Sequence, residues 1–177
     1  MKRCFILMLT AIALQAQAQV LRMTDETTEV KYVARHLGGR LEGNFKGVQG
    51  SAQFDPNALA NSYLKLSFAT GTVTTNANYV GPNLIKEACF DPAKYPTLEL
   101  FSTSIKKLQG QNEYEFHGQL KVKGKTRNIA FPMTVTANAG GYDFAFAFKL
   151  LRKHFGLDCG ATGKDFKIFI TSYGKRV

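Results

Sequence analysis

The sequence predicts an all-β protein: an antiparallel barrel of about eight strands with one short helix between the central strands. Three observations carry that expectation. From Thr28 onward apolar and polar side chains alternate with period 2, turns bearing glycine, proline or asparagine interrupt the alternation at short intervals, and only residues 81–90 depart from it. A meander of this many strands tends to curl and close, because closure removes its exposed edges.

The chain begins MKRCFILMLTAIALQAQAQV. Lys2 and Arg3 precede an apolar run from Cys4 to Leu14, and Ala16-Gln17-Ala18 follows, which is the order of a secretory signal peptide cut after Ala18. The run is too short to cross a hydrocarbon core, which needs roughly 20 residues. Residues 1–18 are therefore expected to be a leader that takes Cys4 with it, and residues 19–177 one exported domain, periplasmic or otherwise secreted. The formal charge of +10 falls to +8 without Lys2 and Arg3. Export argues against nucleic acid as a partner; the basic surface is read first as an ordinary solvated face, with transient contact with an anionic membrane surface as the alternative.

In chain order, strands are expected at 29–36 and 39–45 around Gly38-Gly39, at 51–54 before Asp55-Pro56-Asn57, and at 62–69. The segment 81–90 has Pro82 near its start, apolar Leu84, Ile85, Ala88 and Cys89, and Asp91-Pro92 as a stop, a pattern for a helix of about two turns. Further strands follow at 98–108, 114–123, 127–137, 142–149 and 166–173. In the strand 142–149 every second residue, Tyr142, Phe144, Phe146 and Phe148, is aromatic, so one of its faces is a wall of rings. Strand glycines and alanines such as Gly43, Gly47, Gly50, Ala145 and Ala147 point to strong bending or small side chains, which favours a cavity over a filled barrel.

Residues for catalysis are sparse. His36, His117 and His154 form no metal-binding spacing, and no nucleophile elbow, phosphate loop or dinucleotide fingerprint occurs. Cys89 sits between Ala88 and Phe90, apolar neighbours that would raise its thiol pKa and make it inert, which argues against a thiolate nucleophile. A bridge from Cys89 to Cys159 would close a long loop, and the spacing leaves both a disulfide and two free thiols open.

Five blocks in register, VKYVARHLGGRLEGNFKGVQGSAQFDP, LKLSFATGTVTTNANYV, NLIKEACFDPAKYPTLELFSTS, YEFHGQLKVKGKTRNIAFPMTV and RKHFGL, resemble the YceI-like family of exported polyisoprenoid-binding proteins. The resemblance implies an extended lipocalin-like β-barrel that holds a long apolar ligand, such as a polyisoprenoid, an isoprenoid quinone or a fatty-acid-like amphiphile. It implies no enzyme and no cofactor beyond a bound lipid, and it leaves a monomer or a homodimer. The chain departs from the family pattern at Asn78-Tyr79, Asn83, Cys89-Phe90 and His154.

Alternation places the expected lumen-facing residues at Val33, Leu41 and Phe45, then at Leu64, Leu66, Phe68 and Leu100. Phe116, Leu120, Phe131 and Met133 continue the wall, and Phe144, Phe146, Phe148, Ile168 and Ile170 complete it. Asn83, Leu84, Cys89, Phe90, His154 and Phe155 are expected at the rim or cap. The alternative reading is a filled barrel acting as an envelope structural or interaction module with no lipid ligand.

Overall fold

The computed structural model describes residues 19–177, so the expected leader lies outside the described residues. Nine strands form one antiparallel sheet: β1 (Val20–Thr24), β2 (Thr28–His36), β3 (Gly39–Gln53), β4 (Tyr63–Ala69), β5 (Thr97–Lys107), β6 (Glu113–Val122), β7 (Lys125–Asn138), β8 (Gly141–Leu151) and β9 (Asp165–Arg176). Neighbours in sequence from β2 to β9 pair with one another, β2 pairs back onto β9, and β3 onto β4, so eight strand positions close a barrel. The extra strand β1 lies in line with β2, since both pair with β3 on one side and β9 on the other.

Two expectations about the opening strands need correction. The segments at 39–45 and 51–54 are one 15-residue strand, β3, continuous through a bulge between Lys46 and Gln49 where Gly47 takes φ 71°. The glycines of GVQG accommodate a positive φ and a close strand approach, so they bend the strand without ending it. The strand β1 is a second difference; its five residues are short, and only Leu21 and Met23 face the core. Between β1 and β2, Asp25 accepts the N–H groups of Gly47 (3.0 Å) and Val48 (2.8 Å), standing in for backbone partners across the bulge.

The expected two-turn helix is one turn, α1 (Gly81–Leu84), followed by tight turns to Phe90. Residues 84 and 88 would share a face of a continued helix, yet Leu84 is buried and Ala88 exposed. Breaking the helix lets Leu84, Cys89 and Phe90 all reach the interior, with the Phe90 N–H bonded to the Leu84 carbonyl at 3.1 Å. A second single turn, α2 (Arg152–Phe155), joins β8 to the loop before β9 and was not expected from the sequence.

Antiparallel pairing places four connections at one end of the barrel, here called the cap end: the β2–β3 turn, residues 70–96, the β6–β7 turn and the β8–β9 loop. Contacts tie them together. The Lys123 ammonium donates to the carbonyls of Glu87 and Ala88, and the Asp158 N–H to that of Ala88. The core is a single apolar cluster filling the barrel between the cap end and the opposite end.

Candidate functional site: the apolar lumen and its cap-end mouth

Inward positions of the strands make one apolar lining. Of the sixteen side chains expected there, all but Val33 are buried. Val33 is the correction: β2 turns Thr28, Val30, Tyr32 and Ala34 inward, so Val33 lies half-buried on the outer face with Lys31 and Arg35. The inward slot goes to Tyr32, whose ring meets Phe45 and Phe166 at 5.5 Å each and whose hydroxyl donates to the Thr74 carbonyl at 2.9 Å. Burial raises the Tyr32 pKa above its ordinary value, with the Thr75 side chain opposing the shift.

The rings sort into three groups along the lumen. On one wall Phe131 stacks on Phe116, Phe146 and Phe148 with centroids 4.6 to 5.4 Å apart. Phe54, just past β3, meets Tyr114, Tyr142 and Phe144 edge-on and plugs the end opposite the cap. At the cap end Phe90 reaches Phe45 and Phe166. Phe90 sits outside a regular strand and is expected only at the rim; Phe54, at the end of the expected strand 51–54, and Phe166, in β9, are absent from the expected lining.

The barrel wall is incomplete in two places, both toward the cap end. The β3–β4 ladder covers only Lys46 to Gln53 of β3. Residues 72–76 take over the rest of that edge in alternation: Thr74 and Asn76 donate their N–H groups to the carbonyls of Asn44 and Glu42 (2.9 Å each). In return the side chains of Thr72, Thr74 and Asn76 accept the N–H groups of Lys46, Asn44 and Glu42 at 2.9 to 3.1 Å. The threonine-rich stretch is thus a strap whose side chains supply the acceptors that a ladder would take from backbone. Gly43 lies beneath it, where an added Cβ would fall inside contact distance of the Thr74 carbonyl. On the far side, the β7–β8 ladder runs only from Met133↔Phe146 to Asn138↔Gly141, so residues 125–132 of β7 lie outside it and the Phe131 stack fills the splay.

A disulfide joins Cys89 to Cys159 with their Cα atoms 4.6 Å apart. It bolts the cap segment beside Phe90 to the β8–β9 loop, and it removes Cys89 as a thiolate nucleophile. At the same mouth Leu84 and Phe155 are buried, whereas Asn83 and His154 are exposed and face away from the lining. The His36 Nδ1 atom is buried without a partner among the described residues, and its ring lies 5.7 Å from that of Tyr79. No group of three or more His, Cys, Asp or Glu side chains that could hold a metal ion occurs among the described residues.

Against known families, the YceI-like domain model matches residues 22–172, most of the chain. The chain belongs to the YceI-like domain family. A UPF0312 protein of Azotobacter vinelandii is 28% identical over 156 residues, covering 83% of this chain and 81% of that protein. One from Photorhabdus laumondii is 27% identical, covering 80% and 78%. Among solved structures, Burkholderia cenocepacia BcnA is similar with a TM-score of 0.77 at 21% identity, covering 84% of this chain and 96% of that one. A polyisoprenoid binding domain from Saccharophagus degradans, implicated in plant cell wall breakdown, matches with a TM-score of 0.70 at 10% identity, covering 90% and 99%. These likenesses establish the YceI-like barrel and its lipocalin-like architecture. In this YceI-like chain Asn78-Tyr79, Asn83 and Cys89 fall in the cap segment and His154 in α2. Cys89 and Cys159 form the bolt there.

Proposed function

We propose that this protein is an exported, non-catalytic carrier that holds a long apolar chain, of the polyisoprenoid, isoprenoid quinone or fatty-acid-like class, in the barrel lumen. The observation that carries the reading is the lumen itself: an aromatic and aliphatic lining closed at each end by a ring, Phe54 or Phe90, borne outside the regular strands. Membership of the YceI-like family, with a polyisoprenoid binding domain among its structural neighbours, supports it. Burial of an apolar tail gains about 0.8 kcal/mol per CH₂, so a long chain binds with no polar contact at all. Polar groups would then act only on the head group, and His36 at the mouth has a buried Nδ1 without a partner among the described residues. Ligand entry displaces Phe90 and its cap, not the strands.

Native mass spectrometry of protein purified from its natural compartment tests the reading, followed by uptake of an isoprenoid quinone by delipidated protein. Added lipid mass, or saturable uptake with one chain per barrel, is the expected result. Protein that is always free of lipid mass and takes up none would overturn it. The second reading, a filled barrel serving as a structural or interaction module, is favoured by one observation: with Phe54 and Phe90 in place the interior is a packed apolar core. The same uptake measurement separates the two.

A further inference from the structure

We infer that the cap end of the barrel docks on an anionic phospholipid bilayer. The inference stands on surface chemistry alone and does not require the lumen to hold a ligand.

Charge is concentrated at that end. Residues 35–40, 70–96, 122–126 and 149–167, which make up its connections and their flanks, carry eleven Lys or Arg side chains and four Asp or Glu, a net +7. The opposite end, residues 54–62, 106–113, 138–143 and 173–177, carries four cations and three acids, a net +1. A depression of about 700 Å³ beside the β2–β3 turn is lined by Arg35, Arg40, Lys149, Lys164 and Lys167, with Asp165 as its one carboxylate. Of these five cations, Arg40 alone has a carboxylate within ion-pair distance among the described residues, that of Glu42.

Apolar side chains stand out into solvent among those cations. Five large apolar residues are exposed among the described residues, and three of them belong to the cap end: Leu37 (78% exposed), Tyr79 (69%) and Ile85 (44%). Leu37 sits at the tip of the β2–β3 turn with φ 48°, a left-handed position that glycine or asparagine fills more easily. Tyr79 is an aromatic with a polar tip, the side-chain type that settles at a membrane–water interface. Cations drawn to anionic head groups around aliphatic and aromatic tips that enter the acyl boundary are the elements of an interfacial anchor. A nucleic acid or another polyanion would use the cations and leave the aliphatic tips in water.

The test uses delipidated full-length mature protein and co-sedimentation with large vesicles of phosphatidylcholine, with or without 30% phosphatidylglycerol, at about 0.1 M salt, where screening is near 10 Å. Binding is expected only with phosphatidylglycerol. Each cation near the surface strengthens binding by about fivefold, so Lys149→Gln/Lys164→Gln/Lys167→Gln should weaken it roughly a hundredfold. The Leu37→Asn/Tyr79→Ser/Ile85→Gln variant, in which asparagine suits the left-handed backbone at 37, should also weaken it while keeping the parent melting temperature. Lys106→Gln/Lys175→Gln/Arg176→Gln at the opposite end should change it less than threefold. Equal binding to neutral vesicles, no binding, or an equal loss in the opposite-end variant overturns the inference. So does a Leu37/Tyr79/Ile85 variant that binds like the parent while a single-stranded oligonucleotide competes fully, which marks a general polyanion surface. Protein that docks but takes up no quinone defeats the carrier reading alone, and protein that takes up quinone but does not dock defeats this one alone.

Discussion

Removing the cap bolt with Cys89→Ala/Cys159→Ala should cost stability in proportion to the loop it closes. The two cysteines are 70 residues apart in sequence. Cross-linking over that distance removes about 4 kcal/mol of chain entropy from the unfolded state. In a domain of this size each kcal/mol shifts the melting temperature by about 2–4 °C, so differential scanning calorimetry should show a drop of roughly 8–16 °C. Both sulfurs are buried, and replacement by alanine leaves no unpaired thiol in the core. A functional consequence follows from position, since Cys89 adjoins Phe90, the ring that plugs the mouth. Under the carrier reading, lipid exchange between protein and vesicles should become faster in the double variant. A melting temperature within about 3 °C of the parent would refute the entropic assignment. Unchanged exchange kinetics alongside the expected thermal loss would refute the link between the bolt and the mouth.

Raising the pH should expose the role of Tyr32. Its pKa is raised in the folded protein, so the folded state keeps the proton longer than the unfolded chain; the stability this contributes is complete below pH about 10 and is lost as the pH climbs through the folded value. Urea midpoints measured at pH 8 and pH 11 should therefore fall more steeply for the parent than for Tyr32→Phe, and parallel falls would remove Tyr32 from the account. Gly43→Ala forces a Cβ into the Thr74 carbonyl and should lower stability by about 1–3 kcal/mol in a denaturant melt, with a wild-type midpoint showing that the strap yields freely. Asp25→Ala leaves the Gly47 and Val48 N–H groups without their carboxylate partner and should cost about 1–2 kcal/mol in the same melt, whereas Asp25→Asn, which keeps one acceptor oxygen, should recover part of it.

Strand alternation reveals a face only where each strand is regular and its apolar parity unambiguous. That held for β8, whose rings at 144, 146 and 148 all point inward, and for β6, where 114 to 122 alternate without a break. It failed at β2, where Val33 and Tyr32 compete for the inward slot; the tyrosine ring packs inside while the strap gives its hydroxyl an acceptor, the Thr74 carbonyl, a contact made 42 residues away. Gly47 hid the continuity of β3, because a glycine that bends a strand and one that ends it look alike until the partner strand is known. Phe90 was invisible as a plug for a related reason: its position depends on a loop whose path is set by tertiary contacts, not by any period. The Cys89–Cys159 pairing likewise depended on the fold bringing two Cα atoms together, which spacing alone cannot report.

A barrel closed by complete ladders at all eight strand positions could admit a chain only by breaking many backbone hydrogen bonds at once. This one concentrates its irregularities. The strap over β3, the splay between β7 and β8, the one-turn α1 and the Phe90 plug all lie toward the cap end, while the opposite end is closed by Phe54 between flanking strands. Local opening is favoured where few buried contacts and few regular hydrogen bonds must be given up. Strap displacement breaks eight bonds between residues 72–76 and β3, six of them made by side chains, and leaves every strand-to-strand ladder intact. The disulfide keeps such an opening from spreading into unfolding, since it holds the cap segment to the β8–β9 loop whichever way the strap moves. The cationic and exposed apolar side chains surround this same end, so the face that a bilayer would meet is the face where the wall of the lumen is easiest to part.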